Sequence, residues 1–249
     1  MAEGRRENLK EMHLLDHLEE LRSMLIGSAI AWLIASCIFW FFSAQVLDFL
    51  IRSLPVQKLY FYSPAEAFMI RMKLSFILGV LVSFPYLFFR IWRFVSPGLF
   101  KNEKGLFFPL AICSIVLFYV GLAFAYWAMM PIVLRFFVNF GTDRLSPLLS
   151  VDRYFGFVAK LCLGFGLVFQ LPLVVIVLTW MRVVSARALL RQWRWVIIII
   201  FSISAVLTPP DAVSQIFMAV PLCALFFASA VASLIIEKRR AKSGGNGGA

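Results

Sequence analysis

Six long stretches of this 249-residue chain contain no charged residue, and this feature limits its fold more than any other. An apolar helix needs roughly 20 residues to cross about 30 Å of hydrocarbon. The stretches are Ser23–Leu47, Leu74–Phe89, Gly105–Leu134, Leu161–Met181, Trp195–Pro210 and Ala212–Ile236. They predict an all-α polytopic membrane protein with six transmembrane helices in a concave bundle.

Composition and charge agree with a membrane protein. Hydrophobic residues make up 62% of the chain and charged residues 15%, against about 45–50% and about 25% in soluble domains. The net charge of +11 would indicate nucleic acid in a soluble protein. Here about two thirds of the Lys and Arg residues fall on the side of the N-terminus, so the positive-inside rule places both termini in the cytoplasm. No nucleic-acid partner is expected.

The two ends of the chain differ from its middle. Residues 7–22 carry leucines at three- and four-residue steps, which predicts an amphipathic helix on the cytoplasmic membrane surface before the chain turns into the first span. Many acidic residues there argue against a removable leader. We therefore predict a cytoplasmic segment at 1–22, a membrane domain at 23–236, and a basic, then Gly-rich, disordered cytoplasmic tail at 237–249.

Two of the six stretches are short. The second needs residues 68–73 to reach full length, which brings Arg71 and Lys73 into its outer turns, where long side chains can snorkel to the interface. The fifth has only 13 residues between Arg194 and Thr208, or about 20 Å of helix. We expect the bilayer to be thinned beside it.

Two loops on the outer side end alike. Ser63-Pro64-Ala65-Glu66 precedes the second span and Thr208-Pro209-Pro210-Asp211 precedes the sixth. In each, Ser63 or Thr208 can cap a helix, proline suits the first helical position, and Glu66 or Asp211 can complete a capping box. This structural explanation accounts for much of the pattern.

Prolines lie inside three of the spans. Pro85, Pro172 and Pro221 each remove a backbone hydrogen bond and would bend the second, fourth and sixth spans. Bent helices suit a concave bundle. Proline is also simply commoner in membrane helices than in soluble ones, which explains the three residues equally well.

Few side chains are candidates for chemistry. Gln170 lies in the middle of the fourth stretch, where a polar group marks either a functional site or an interhelical hydrogen bond. His13 and His17 have metal-ligand spacing, but no third histidine exists, and a solvated polar face is the better explanation. The four cysteines are interpreted as buried small hydrophobes. Neither a catalytic set, a cofactor nor a metal is expected.

Glu103 is the one acid among eight basic residues in the two inner loops. Its simplest role is a local ion pair with Lys101 or Lys104, worth about 0–1 kcal/mol on an exposed loop.

Four segments, in order, resemble the TatC family of twin-arginine translocase subunits. They are His17-Leu-Glu-Glu-Leu-Arg22, Phe94-Val-Ser-Pro-Gly-Leu-Phe-Lys-Asn-Glu103, Phe165-Gly-Leu-Val-Phe-Gln-Leu-Pro172 and Thr208-Pro-Pro-Asp211 through Gln215. The resemblance covers about residues 13–223 and includes the span number and orientation.

The resemblance implies a bacterial inner-membrane receptor for folded precursor proteins that carry a paired-arginine signal peptide. Its implied partners are the single-span subunits TatA and TatB, the lipid bilayer and further copies in a larger complex, with transport driven by the proton-motive force. By motif position, Glu20 and Glu103 would contact the paired arginines. Phe94, Pro97 and Leu99 would line the signal site, Arg22 would orient the N-terminal helix, and the signal's apolar region could run toward Gln170. The short fifth span resembles the family's docking region for TatB.

The chain departs from the family pattern at two places. Gln170 stands where many members have glutamate, and Phe227 stands where many have glutamate in the sixth span. A mechanism that needs a titrating carboxylate at either position is therefore in doubt. A small-solute carrier using Gln170, Glu66 and Asp211 is the alternative. It lacks a midplane charge and an inverted repeat. A purely structural scaffold is a third possibility.

Overall fold

The computed structural model describes residues 2–52, 60, 63–99, 107–139, 150–181, 183–207 and 211–244. Within these residues the chain is all-α apart from one isolated bridge between Tyr60 and Ser150. The helices are α1 Ala2–Arg52, α2 Pro64–Leu99, α3 Phe107–Phe124, α4 Met130–Val138, α5 Val151–Val168, α6 Leu171–Trp180, α7 Ala186–Arg191, α8 Trp193–Leu207 and α9 Ala212–Gly244. A π-helical turn, Ala125–Met129, joins α3 to α4.

Five helical segments are long and apolar enough to cross a membrane: His17–Arg52, Ala65–Phe94, Phe108–Val138, Val151–Trp180 and Ala212–Lys238. The third combines α3, the π-helical turn and α4, and the fourth combines α5 and α6. The stretch predicted as the fifth span forms α8, a shorter apolar helix of 15 residues, or about 22 Å. Its predicted shortness is confirmed.

Both ends of the chain differ from the prediction. Helix α1 is continuous over 51 residues, so the turn expected after Arg22 is absent. Good helix formers on both sides of residue 22 and the lack of Gly or Pro there explain the continuity. Helix α9 continues through the basic residues to Gly244, so the segment predicted as a tail begins as helix.

The chain divides into two compact units. The first comprises Met1–Leu54 with Ser63–Ile115, and the second comprises Pro55–Tyr62 with Val116–Ala249.

In the first unit, α1 and α2 are antiparallel partners. They approach closely at Gly79, where an added Cβ would lie 2.9 Å from the backbone nitrogen of Ser36. Trp32 reinforces the pair, because its indole Nε1 donates to the Phe76 carbonyl at 3.0 Å. Trp92 of α2 also donates to the Ser114 hydroxyl of α3 at 2.6 Å. Small residues at helix contacts are a common packing device in membranes.

In the second unit, aromatic side chains and glycines join the third and fourth spans. Phe118 and Phe165 are fully buried. A Cβ on Gly121 would lie 2.8 Å from the Phe165 carbonyl oxygen, and one on Gly166 would meet the Phe118 ring. Both glycines therefore permit a close approach that any larger residue would prevent.

The prolines affect their helices differently. The fourth span is interrupted at Phe169–Gln170, immediately before Pro172 at the start of α6. Pro221 lies inside the unbroken helix α9, and Pro85 lies inside α2. The π-helical turn just before Pro131 was not predicted. It rearranges the backbone hydrogen bonds that this proline cannot complete.

The four cysteines are less buried than predicted. Cys37 is exposed, while Cys113, Cys162 and Cys223 are half-buried, and all four are free thiols. A small thiol on a membrane helix can face lipid because no polar group needs to be hidden.

Candidate functional site

Helices α1 and α2 bring two of the family-like motifs together. The imidazole of His17, the first residue of the α1 motif, stacks on the ring of Phe94, the first residue of the α2 motif. Their centroids are 4.2 Å apart and their planes differ by 11°. Two segments that are 77 positions apart in sequence therefore lie side by side. We refer to this end of the α1–α2 pair, containing His17, Glu20, Ser23, Arg90 and Phe94, as the motif end.

Glu20 lies three residues after His17, so both side chains project from neighbouring positions on the same face of α1. Glu20 and Arg22 are exposed and Phe94 is half-buried. Glu20 is therefore about one helical turn from His17, the residue that stacks on Phe94.

Arg90 provides a second link between the two helices at the motif end. Its Nη2 donates to the backbone carbonyl of Ser23 at 2.9 Å and to the Ser23 hydroxyl at 3.3 Å. Its guanidinium also lies 5.9 Å from the centroid of the Tyr86 ring. Gly27 makes room for this arginine, since an added Cβ would lie 3.2 Å from Nη2.

Arg90 and His17 were not predicted as site residues. Arg90 was counted only among the eight basic residues of the inner loops, and His17 was predicted only as part of a solvated polar face and as the first residue of a family-like motif. Their partners lie on another helix, so no spacing within the sequence could reveal the two contacts.

The rest of the predicted signal site is only partly described. Pro97 and Leu99 lie in the last turns of α2, as backbone positions. Glu103 lies outside the described residues. The side chain of His13 is also outside the described set.

Gln170 lies in the interruption between α5 and α6. It is 7% exposed, and its backbone nitrogen donates to the Leu167 carbonyl at 3.0 Å. The aromatic contacts of Phe169 with Phe124 and Phe165 flank this position. The side chain of Gln170 is thus buried within the protein. The helix interruption beside it was not predicted.

The two predicted helix starts have different caps. In α2, the Ser63 hydroxyl accepts from the Ala65 nitrogen at 3.3 Å, Pro64 is the first helical residue, and Glu66 lies in the first turn. This confirms Ser63 as the cap.

The predicted cap at Thr208 is wrong, because α9 begins only at Ala212. Asp211 itself caps the helix. Its Oδ1 accepts from the Ser214 nitrogen at 2.7 Å, and its Oδ2 accepts from the Ser214 hydroxyl. A carboxylate at this position satisfies free N–H groups and favours the helix dipole. One turn further, Gln215 Nε2 donates to the Phe201 carbonyl of α8 at 2.9 Å.

A further carboxylate in the second unit was not predicted. Glu237, near the end of α9, accepts from the backbone nitrogen of Ala186 at 2.8 Å, at the first residue of the short helix α7. Ser185 caps the same helix by accepting from Ala188. These contacts hold the arginine-bearing segment between α6 and α8 against α9.

The motif end has the chemistry to receive a cation beside an aromatic surface. An exposed carboxylate can accept charge-assisted hydrogen bonds, and the two links from His17 and Arg90 fix the helix that carries it. No group of three side chains that could hold a metal ion was found within the described part of the chain.

Known proteins share both the sequence and the fold of this chain. The sequence model of the family described as Sec-independent protein translocase protein (TatC) matches residues 16–221. The Sec-independent protein translocase protein TatC of Desulforapulum autotrophicum is 37% identical, over 90% of this chain and 85% of its own length. The corresponding protein of Aquifex aeolicus is 38% identical, over 86% of this chain and 92% of its own length.

A crystal structure of the twin-arginine translocase receptor TatC superposes with a TM-score of 0.81. It is 37% identical and is matched over 88% of this chain and 98% of its own. A second crystal structure of that receptor, in DDM, gives a TM-score of 0.80 over 87% and 99%.

Proposed function

Because the chain belongs to the TatC family, we propose that its motif end binds the paired arginines of twin-arginine signal peptides. The chain is a core subunit of the Sec-independent twin-arginine protein translocase, a multi-pass protein of the bacterial inner membrane and not an enzyme. It works with other subunits of that translocase. We propose that these are TatA and TatB, in a complex with further copies of this chain.

The stack of His17 on Phe94 is the observation that carries the proposal. It joins the motif that contains Glu20 to the motif that contains Glu103. Glu103 follows Leu99, the last residue of α2, by four positions. We therefore propose that the Glu20 and Glu103 carboxylates lie near one another.

Two carboxylates on this face suit arginine in particular. A guanidinium has a planar fork of N–H donors that can bind carboxylates in pairs of parallel hydrogen bonds, whereas lysine offers a single compact charge. The surrounding basic residues would repel a cationic peptide that fails to reach those acids, which increases selectivity.

The remaining residues have supporting roles in this proposal. Phe94, Pro97 and Leu99 line the signal site beside the arginines, and Arg22 orients the first part of α1. Gln170 gives the signal's apolar region a hydrogen-bonding group within the membrane and needs no ionisation to do so. Glu66, Asp211 and Gln215 serve at the opposite ends of the helices as caps and helix contacts.

We propose the corresponding topology: six spans, both termini in the cytoplasm, a cytoplasmic segment at 1–22, the membrane domain at 23–236 and a cytoplasmic tail at 237–249. Helix α8 would be the fifth span. Its 15 residues cover about 22 Å of a hydrocarbon layer of about 30 Å. The bilayer would thin beside α8, where TatB docks and where TatA would weaken the membrane further.

A carrier function fits the contacts less well. Asp211 is used as a helix cap, and Glu66 occupies the first turn of α2, at a helix end. Neither lies at the centre of a span, where a transported solute or ion would need a charged partner.

Site-specific photo-crosslinking in membranes tests the signal site. A probe replaces Phe94 or Leu99, and the precursor carries paired arginines or paired lysines. The expected result is a crosslink that depends on arginine. A matched probe at Phe137, an exposed residue at the other end of a span, is expected to remain unlinked. Equal crosslinking of both precursors at Phe94 and Leu99 would overturn the proposed site.

A further inference from the structure

An apolar groove runs along the side of the α1–α2 pair, away from the motif end. It has a volume of about 340 Å³ and is lined by Leu33, Ser36, Cys37, Trp40, Phe41, Met72, Ser75 and Phe76. Six of these eight side chains are apolar, so the groove offers a hydrocarbon surface along the helix pair.

The serines of the groove do not make it polar. The Ser36 hydroxyl donates to the Trp32 carbonyl at 2.8 Å, and the Ser75 hydroxyl donates to the Arg71 carbonyl at 2.8 Å. Both hydroxyls are satisfied within their own helices, so they leave small side chains and a hydrocarbon surface. The close approach of Gly79 to Ser36 keeps the helices together along this side.

Arg71 lies beside one end of the groove. Its Nε donates to the Ser43 hydroxyl at 3.1 Å, and its guanidinium lies 5.3 Å from the centroid of the Trp40 ring, which lines the groove. The Ser43 hydroxyl in turn donates to the Trp40 carbonyl at 2.7 Å. These contacts fix the guanidinium over Trp40 and leave its two Nη groups as donors.

Arg71 places a positive charge at one end of the groove. The residue lies six positions inside the apolar segment Ala65–Phe94, or about 9 Å along the helix. Among the described residues, no carboxylate pairs with it. The segment has 30 residues and is about 45 Å long, which exceeds a hydrocarbon layer of about 30 Å. Arg71 therefore lies near the level of the lipid headgroups.

We propose that this groove binds one phospholipid with an anionic headgroup, such as phosphatidylglycerol. The lipid phosphate accepts hydrogen bonds from the Nη groups of Arg71, and one acyl chain lies along the groove toward Leu33. With the topology proposed above, the lipid belongs to the periplasmic leaflet. Tryptophan is typical of this depth because its ring is apolar and its N–H is polar.

Native mass spectrometry of the purified full-length chain tests the site, with phosphatidylglycerol or phosphatidylcholine added to the detergent. We expect one phosphatidylglycerol to be retained in preference to phosphatidylcholine. Arg71→Gln should reduce its retention at least about tenfold, as expected for loss of hydrogen bonds to a charged group. Arg135→Gln, which removes an exposed arginine at the end of α4, should have no effect.

A second variant tests the groove without changing charge. Cys37→Trp fills the groove from an exposed position and should expel the lipid, whereas Cys37→Ala should retain it. Unchanged phosphatidylglycerol retention in both Arg71→Gln and Cys37→Trp would overturn the proposal. So would equal retention of phosphatidylcholine by the unaltered chain. Neither result depends on protein export, so the test is independent of the signal-peptide function.

Discussion

Each end of the α1–α2 pair holds one charged side chain in a defined setting, an acid at one end and a cation at the other. At the motif end, Glu20 is exposed while the cation Arg90 is bound to Ser23 of the neighbouring helix. At the other end, Arg71 is held against Ser43 and Trp40 within the membrane segment. One helix pair can thus offer an acid to a cationic peptide at one end and a cation to an anionic lipid at the other.

The comparison shows how an ion is made available to a ligand. His17 and Arg90 fix the helix that carries Glu20, and the Glu20 side chain is exposed. Arg71 offers only its Nη groups to a ligand, because its Nε already donates to the Ser43 hydroxyl. Pre-organised groups of both kinds lose less freedom on binding.

The largest effect is expected from neutralising the acids. Glu20→Gln and Glu103→Gln should each reduce export of a twin-arginine precursor about tenfold or more, because hydrogen bonds to charged groups contribute about 1.5–3 kcal/mol. Export assays in cells with matched amounts of membrane-inserted protein measure this. Glu3→Gln, another acid in α1, serves as the control. Normal export in the Glu20→Gln/Glu103→Gln double variant would contradict the site.

The sequence predicted the motif end only in part. Charge-free stretches revealed the spans, and the family-like motifs revealed Glu20, Phe94 and Glu103. The contacts that join the motifs were not predictable, because His17 with Phe94 and Ser23 with Arg90 are pairings between helices. Their register depends on small residues such as Gly27 and Gly79, whose neighbours only the folded chain defines.

Capping patterns in the sequence predicted a helix start correctly where one residue can act as the cap. They failed where two residues compete to be the cap. Ser63 caps α2 as predicted, since Pro64 follows it directly. Near α9, two prolines and Asp211 follow Thr208, and the carboxylate adjoining the first helical residue takes the cap. The turn expected after Arg22 was mispredicted for a related reason. Amphipathic periodicity indicates a helix but does not show whether the chain turns where that helix meets the membrane.

The second largest effect concerns the packing that holds both ends of the pair in place. Gly79→Val should destabilise the folded protein by about 1–3 kcal/mol, because the new side chain would overlap the Ser36 backbone. A lower thermal unfolding midpoint in detergent measures this. Gly156→Ala is the matched control, since nothing lies within 4 Å of an added Cβ there. Equal stability of the two variants would show that α1 and α2 do not pack at Gly79.

A smaller effect is expected at the aromatic stack of the motif end. His17→Ala should weaken the arginine-dependent crosslink at Leu99 about 2- to 10-fold, since an aromatic pair contributes about 0.5–1.5 kcal/mol. His17→Phe retains a ring on Phe94 and should restore the crosslink. If His17→Phe is as impaired as His17→Ala, the imidazole acts through its nitrogen atoms and the stacking role is wrong.

The smallest effect is expected at the other end of the pair, from Ser43→Ala. This change removes the acceptor for Arg71 Nε, and side-chain hydrogen bonds between membrane helices average about 0.6 kcal/mol. Thermal unfolding should therefore shift by no more than a few degrees, and export should be unchanged. Ser202→Ala, which removes an exposed hydroxyl bonded within its own helix, is the control. A loss as large as that of Gly79→Val would mean that Arg71 holds the helices together. The guanidinium of Arg71 would then be structural and unavailable to a lipid. Only the motif end of the helix pair would then hold a ligand site.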